Sequence, residues 1–476
     1  MEVISLWDHQ KKIIAIAEER THYAIFAEMG TGKTCTAIQI LRLWCARNKR
    51  PLRTLVLCPP AVRNVWKREI ERFSKLGKYT LVLDGSGKKR EKDFAERAFN
   101  DELPNNSAPA IFITNYESLL MKELFQLFKT WGIEVLILDE SQRAKDLKSK
   151  RTKLCIELAD TTPYKLLLTG TPILNTAMDI WSQFRILDKG ETFDRNFYAF
   201  RARYFYDRNA NMPTSKHFPD WRPLPGLAET FNKLIYAKAT RVLKKDCLDL
   251  PPLVRQRVEV DLSPEQERMY VSMRDEYVAY MGTQACVASI ALTKILRLQQ
   301  MVSGFWVDDE EDKPRSFKDN PRLIVLKELL KDIAHTSKVI VWASFRHSYV
   351  DLIKVCEELE IPHVCLYGGM TDKSRQVSID SFQTDSLVRV MIANPAAGGV
   401  GITLTAASYM IYYSRTFSLE HDLQSEARAH RGGSEIHAKI TRIDIVTPGT
   451  VDEVILDALE RKENLASDIL RIKDLL

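Results

Sequence analysis

Apolar residues along this chain come in short uninterrupted runs, each stopped by a polar or Gly/Pro-containing turn and followed by segments whose apolar positions return at helical spacing. In the first half the runs are Tyr23–Phe26, Thr54–Cys58, Tyr79–Leu83, Ala110–Glu117 with its polar exit, Glu134–Leu138 and Tyr164–Pro172 with its small hydroxyl end. In the second half they are Lys338–Phe345, His363–Tyr367, Val388–Asn394 and Tyr409–Tyr413. Such runs predict strands covered on both faces, and the helical stretches between them supply the cover. The predicted fold class is α/β, with two doubly wound parallel sheets. Gly85–Lys92 reads as a glycine- and lysine-rich surface loop.

The period changes after Ile180. Up to about Leu250 aromatic and basic residues interleave, among them Trp181, Phe184, Phe193, Tyr198 and Trp221 with Arg195, Arg201 and Arg203, which predicts helices rather than sheet. Such helices suit core and cleft packing, and also a stacking platform for bases. Pro251-Pro252 breaks the run, Val258–Leu262 alternates as a strand, and Ser263-Pro264-Glu265-Gln266 opens a helix with a capping pattern. These breaks suggest a first lobe over 1–240, helical from about 180, a linker over 241–262, and a second lobe over 263–476. Within the second lobe a helical insertion is expected over about 263–305 and a C-terminal brace over about 448–476.

No apolar run in the 476 residues approaches the roughly 18 that a membrane span needs, so a soluble chain with no membrane partner is expected. The N-terminus lacks the basic start and long apolar segment of a secretion signal, which points to the cytoplasm. The eight cysteines form no Cys-x-x-Cys pair; they read as reduced core residues, and structural zinc is not expected. Net charge is +6, but between Arg201 and Arg257 twelve Lys or Arg stand against five Asp or Glu. A second basic cluster holds Arg143, Lys145, Lys148, Lys150, Arg151 and Lys153. Basic clusters suit a polyanion and equally a solvated face, so charge alone leaves nucleic acid open.

Chemistry concentrates in Ala27-Glu28-Met29-Gly30-Thr31-Gly32-Lys33-Thr34, between a predicted strand and a predicted helix. Glycines at 30 and 32 let backbone N–H groups turn into one concavity, and the following helix adds its dipole, which makes a phosphate cradle. Lys33 would reach terminal phosphates, and the Thr34 hydroxyl would hold Mg2+. Ala27 stands where the general motif has its first glycine. The run Glu134–Leu138 ends in Asp139-Glu140, at the sheet edge where ligands of such folds sit. One carboxylate can hold a metal while its neighbour polarises water; a helix cap is the competing reading. Gln10, one short helix before the loop, offers a donor and an acceptor suited to adenine.

The order of these pieces resembles superfamily 2 helicase-like ATPases, and within them the Swi/Snf-type double-stranded DNA translocases, over nearly the whole chain. The phosphate loop is similar to motif I, Asp139-Glu140-Ser141-Gln142 to motif II, and Leu168-Thr169-Gly170-Thr171-Pro172 to motif III. Gln424-Ser425-Glu426-Ala427-Arg428-Ala429-His430-Arg431-Gly432 is similar to motif VI. The Swi/Snf branch is suggested by Ala239–Asp246 running into Leu250-Pro251-Pro252, by Leu262–Gln266, and by the basic loop Arg143-Ala144-Lys145. Three departures stand out: Gln142 replaces the usual histidine, Arg241-Val242-Leu243-Lys244 is looser than the double-arginine form, and Gly433-Ser434 replaces Gly-Gln. The resemblance is to a compact motor of the kind seen in bacteria and their phages.

This resemblance implies two RecA-like lobes with helical insertions between them, ATP and Mg2+ lying in the cleft. It assigns ATP binding to Gln10, Glu28–Thr34, Gly401, Arg428 and Arg431, and magnesium to Thr34 and Asp139. Lys33, Asp139, Glu140, Arg428 and Arg431 would be catalytic, while Gln142, Thr169, Gly170, Thr171 and Gln424 would couple hydrolysis to motion. DNA, double-stranded, is the implied partner of a monomeric motor. Arg63, Lys67, Thr114, Arg143, Lys145, Ser344 and Thr403 are the candidate backbone contacts. A strand-separating DNA or RNA helicase of the same superfamily is the near alternative. A nucleotide-gated scaffold with weak turnover is the distant one, encouraged by Gln142 alone.

Overall fold

The computed structural model describes residues 5–99, 109–212, 219–281, 288–308, 313–396 and 402–470. The chain forms two compact units, one spanning Met1–Leu248 with Lys462–Leu476 and the other Asp249–Arg461. Among the described residues no helix is long and apolar enough to cross a membrane.

The first unit is built on a sheet of seven parallel strands. In chain order the strands begin β1 (His22–Ala27), β2 (Thr54–Cys58), β3 (Thr80–Val82), β4 (Ile111–Asn115), β5 (Val135–Asp139) and β6 (Tyr164–Thr169). A short antiparallel hairpin, β7 (Phe205–Asp207) with β8 (Trp221–Pro223), precedes β9 (Ala239–Val242), and the sheet order is β3-β4-β2-β5-β6-β1-β9. Strands β2, β4 and β5 are buried at every residue, as continuous apolar runs require. Helices cover both faces; Trp66, Phe94, Phe128 and Phe184 are among the largest side chains they bury.

Two expectations are corrected here. The segment expected as a surface loop over Gly85–Lys92 lies in a helix, Gly87–Ala98, because Ser86 caps Lys89 N at 3.4 Å and Phe94 anchors the helix in the core. The stretch expected to be wholly helical after Ile180 does hold helices Asp179–Asp188, Phe197–Tyr204 and Leu227–Tyr236, but it also supplies the hairpin and the edge strand β9. Four residues suffice for β9 because it pairs with β1 alone, reinforced by Tyr23 Oη and Thr240 Oγ1 at 2.6 Å. The aromatic residues of this stretch divide: Phe193, Phe200, Phe205 and Phe231 are core, while Tyr198 and Tyr206 are exposed.

The second unit holds β10 (Leu253–Glu259), the hairpin β11 (Phe305–Asp308) with β12 (Lys313–Ser316), β13 (Val339–Trp342), β14 (His363–Leu366), β15 (Val390–Ala393), β16 (Tyr409–Tyr412) and β17 (Ile440–Val446). Its main sheet is parallel with order β10-β17-β16-β13-β15-β14. Ser263 caps the helix Pro264–Met281 reciprocally: Ser263 N donates to Gln266 Oε1 at 3.0 Å and Gln266 N to Ser263 Oγ at 3.4 Å. All seven cysteines among the described residues are free thiols, five of them buried.

Candidate functional site

Strand register brings the first unit's chemistry to one level. Phe26 lies opposite Thr169 across the β1–β6 pair, and Asp139 opposite Leu168 across β5–β6. The phosphate loop, the carboxylate pair and the Thr169 loop therefore leave the same edge of the sheet together.

Gly30 and Gly32 take φ of 87° and 80°, the left-handed conformation the loop needs and that side chains resist. Gly32 caps the helix Lys33–Arg47, and a Cβ there would lie 2.3 Å from Gln10 Nε2. Lys33 Nζ curls over the loop, donating to the carbonyls of Ala27 at 2.6 Å and Glu28 at 3.2 Å. Thr31 is buried and donates to Glu28 O at 2.7 Å. Glu28 also ties the loop to the exit of β9, its Oε2 accepting from Lys244 N at 2.7 Å. Gln10 is buried against the loop: it accepts from Trp7 N at 2.9 Å and donates to Gly32 O at 3.2 Å.

Asp139 is held by its neighbour Glu140 and by two residues outside the motif, Trp66 and Tyr116. Trp66 Nε1 donates to its Oδ2 at 2.8 Å, Glu140 N to its Oδ1 at 3.1 Å, and Tyr116 Oη to its carbonyl at 2.8 Å. Burial, then the adjacent Glu140 charge, pushes the Asp139 carboxyl above the usual range, with Trp66 and Lys33 opposing. Glu140 adopts φ 53°, ψ 56°, a left-handed conformation that costs a non-glycine residue on the order of 1 kcal/mol or more. Its Oε2 accepts from Gln142 Nε2 at 2.8 Å; Gln142 Oε1 accepts from Thr169 Oγ1 at 2.6 Å; Thr169 Oγ1 accepts from Thr171 N at 3.0 Å. Gln142 thus connects the carboxylate to the Thr169 loop through both ends of its amide. Gly170 packs against the phosphate loop, where a Cβ would stand 3.3 Å from Ala27 O.

A hydroxyl and a carboxylate are the hard oxygen donors that Mg2+ takes, and Mg2+ commonly binds one or two protein oxygens besides phosphate. Thr34 and Asp139 fit that donor set, and Asp139, a buried carboxylate beside a second one, is where a divalent cation relieves electrostatic cost. Among the described residues no group of three or more His, Cys, Asp or Glu could hold a metal by itself.

In the second unit, Arg428 Nη1 and Arg431 Nη1 both donate to Ile402 O, at 3.4 and 3.2 Å. Arg428 and Gln424 are buried on the helix Leu419–Ala429, Gln424 donating to Glu420 at 3.1 Å. Gly401 lies outside the described residues.

The candidate DNA contacts fare unevenly. Thr114 is corrected: it is fully buried, its hydroxyl 2.7 Å from Ser118 Oγ, so it cannot touch a phosphate. Arg63 is committed to Asp84 at 2.9 Å and to the carbonyls of Leu83 and Pro60, and Lys145 lies 3.5 Å from Asp179. Lys67, 3.9 Å from Glu71, is half-buried, as are Arg143, Ser344 and Thr403. Trp66, Tyr116 and Gln183 are the site residues that sequence reasoning missed; as apolar-face positions of helices and turns they carry no motif signal.

The model of the SNF2-related domain matches residues 9–304, and that of the helicase conserved C-terminal domain matches 321–433. A Caenorhabditis elegans homolog of the SWI/SNF-related matrix-associated actin-dependent regulator of chromatin subfamily A-like protein 1 is 27% identical over 98% of this chain and 63% of its own length. Chromodomain-helicase-DNA-binding protein 1-like of Danio rerio is 25% identical over 93% of this chain and 41% of its own. An uncharacterized ATP-dependent helicase of Mycoplasma genitalium is 26% identical over 98% of this chain and 42% of its own. The chain therefore spans less than two thirds of each of these relatives. A solved Sulfolobus solfataricus SWI2/SNF2 ATPase core in complex with dsDNA is 22% identical, covering 98% of this chain and 93% of that one with a TM-score of 0.44. With the SNF2-related model covering well over half of its length, the chain belongs to the SNF2-related family.

Proposed function

We propose that this chain is an ATP-driven motor that moves along double-stranded DNA and remodels DNA or protein–DNA complexes. The observation that carries the reading is the convergence, at one sheet edge, of the Gly30/Gly32 loop, the buried Asp139–Glu140 pair and the Gln142–Thr169 relay. In this reading Lys33 exchanges the Ala27 and Glu28 carbonyls for phosphate oxygens, and Gln10 recognises adenine. Thr34 and Asp139 hold Mg2+, which supplies charge neutralisation on the phosphates. Glu140, buried and steadied by Gln142, orients the attacking water and accepts its proton. Arg428 and Arg431 stabilise charge on the transferring phosphoryl group, a role worth about 10³–10⁵ in rate in comparable systems.

The relatives' names speak of chromatin, of DNA binding and of helicases, which supports DNA as the track. Lys67, Arg143, Ser344 and Thr403 are the phosphate contacts we retain. Gln142, the residue that invited an inert scaffold, hydrogen-bonds both Glu140 and Thr169, and that favours a coupled motor.

The test is the steady-state ATPase rate with no nucleic acid, duplex DNA, single-stranded DNA and RNA, with Lys33→Ala alongside. Duplex DNA should stimulate turnover most, and Lys33→Ala should abolish it. Preference for single strands or RNA would favour a strand-separating helicase, and a rate no higher than the variant's throughout would favour the scaffold.

A further inference from the structure

We infer that Gln183 is a positioning residue for the hydrolytic carboxylates, tying the Glu140-Ser141 turn to the Thr169–Pro172 loop so that the two move together on the helix Asp179–Asp188. The inference rests on the hydrolytic reading above. Gln183 is fully buried. Its Nε2 donates to Pro172 O at 2.6 Å and to Asp179 O at 3.2 Å, and its Oε1 accepts from Ser141 Oγ at 2.8 Å. Carbonyls only accept, so the NH2 must face Pro172 and Asp179, and Oε1 is left for the serine. The amide has one orientation and uses both of its ends.

Asp179 lies one turn earlier on the same helix face. Its Oδ2 accepts from Leu174 N at 3.0 Å and Asn175 N at 2.8 Å, and lies 3.5 Å from Lys145 Nζ. One helix face therefore grips both exits: Ser141 and Lys145 after the carboxylates, Pro172 to Asn175 after Thr169. Gln142 bridges the same two segments directly. With two bridges in parallel, a shift of the Thr169–Pro172 loop is passed to Ser141. Ser141 adjoins Glu140, whose left-handed backbone needs external support. An apolar side chain at 183 would leave the buried Ser141 hydroxyl and Pro172 carbonyl unpaired.

The test is a double-mutant cycle on ATP turnover by the full chain, using Gln183→Leu, Ser141→Ala and the pair, with Gln183→Glu in addition. Gln183→Leu should lower kcat about tenfold with KM for ATP within about twofold, the loss expected for unpaired buried groups. Ser141→Ala should then add less than about twofold in the Gln183→Leu background, because both act through one contact. Gln183→Glu accepts from Ser141 but sets an oxygen against two carbonyls unless it is protonated. Its turnover relative to wild type should rise as pH falls from about 8 to about 6. Multiplying single effects, an unchanged kcat in Gln183→Leu, or a flat Gln183→Glu profile would each overturn the assignment. If Gln183→Leu does not fold, Ser141→Ala and the Gln183→Glu profile decide it. A wild type that duplex DNA fails to stimulate contradicts the motor reading instead, and the cycle is then read on the basal rate.

Discussion

Two buried polar clusters, one in each unit, are built from different groups. At the edge of the first, two neutral amides make the connections in parallel: Gln142 between Glu140 and Thr169, and Gln183 between Ser141 and Pro172. Beneath the arginine-bearing helix of the second, the connections are charges. Arg442 bonds both oxygens of Asp422 at 2.9 Å, Glu426 at 2.5 Å and Asp444 at 3.3 Å. Arg415 pairs with Asp444 and lies 3.6 Å from Asp422, and Arg255 pairs with Glu426 at 3.0 Å. The guanidiniums of Arg442 and Arg415 lie 4.3 and 4.5 Å from the Tyr412 ring. Three cations meet three anions, with Asp422 and Glu426 one turn apart on the helix Leu419–Ala429 and Arg442 and Asp444 on β17.

The difference has a physical consequence. Neutral hydrogen bonds exchange partners at small net cost, so an edge made of them can rearrange during a cycle. A buried charge cluster cannot lose a member without stranding the opposite charge, so it fixes the helix that carries Arg428. Replacing Arg442 with Met tests this most severely. It should destabilise the second unit by about 3–5 kcal/mol, the cost of an uncompensated buried charge, and leave the first unit's transition in place. Urea unfolding followed by tryptophan fluorescence, with Trp342 buried in the second unit, measures it.

A smaller effect sharpens the contrast from the first unit. Lys165 on β6 is a buried cation whose Nζ donates to the Ala159 carbonyl at 3.4 Å. Burial, then repulsion from Lys189, pulls it down to about 8, whereas Arg442 among its carboxylates is raised. An unfolded lysine keeps its proton to about 10.4, so the unfolded state binds more protons between the two values and stability rises with pH there. Below about pH 8 the whole penalty applies. Lys165→Met should therefore stabilise the first unit by about 1 kcal/mol at pH 7, with the gain fading from pH 8 to 10 in thermal melts.

How far the sequence exposed all this depends on where each requirement is written. Gly30 and Gly32 were legible because the backbone itself demands that residue type, Lys33 because a lysine closing such a loop completes a phosphate motif, and Asp139-Glu140 because carboxylates closing an apolar run have few other uses. Trp66, Tyr116 and Gln183 were not, since a helical or turn residue facing inward looks the same whether it fills a core or holds a carboxylate. Thr114 misled because a hydroxyl in a strand can be satisfied by a neighbour, here Ser118, as easily as by a ligand. Strand β17 escaped notice because Arg442 and Asp444 interrupt its apolar run, and only the structure shows their partners. Strand β9 is too short, and too much an edge, to carry a periodic signal.

Movement along duplex DNA is the central claim, and displacement of a third strand from a triplex on otherwise intact duplex measures it without requiring the duplex to open. The account predicts ATP-dependent displacement that Lys33→Ala abolishes, with no unwinding of the duplex beneath. Duplex-stimulated hydrolysis with no displacement, or displacement only where the duplex itself is separated, would contradict it.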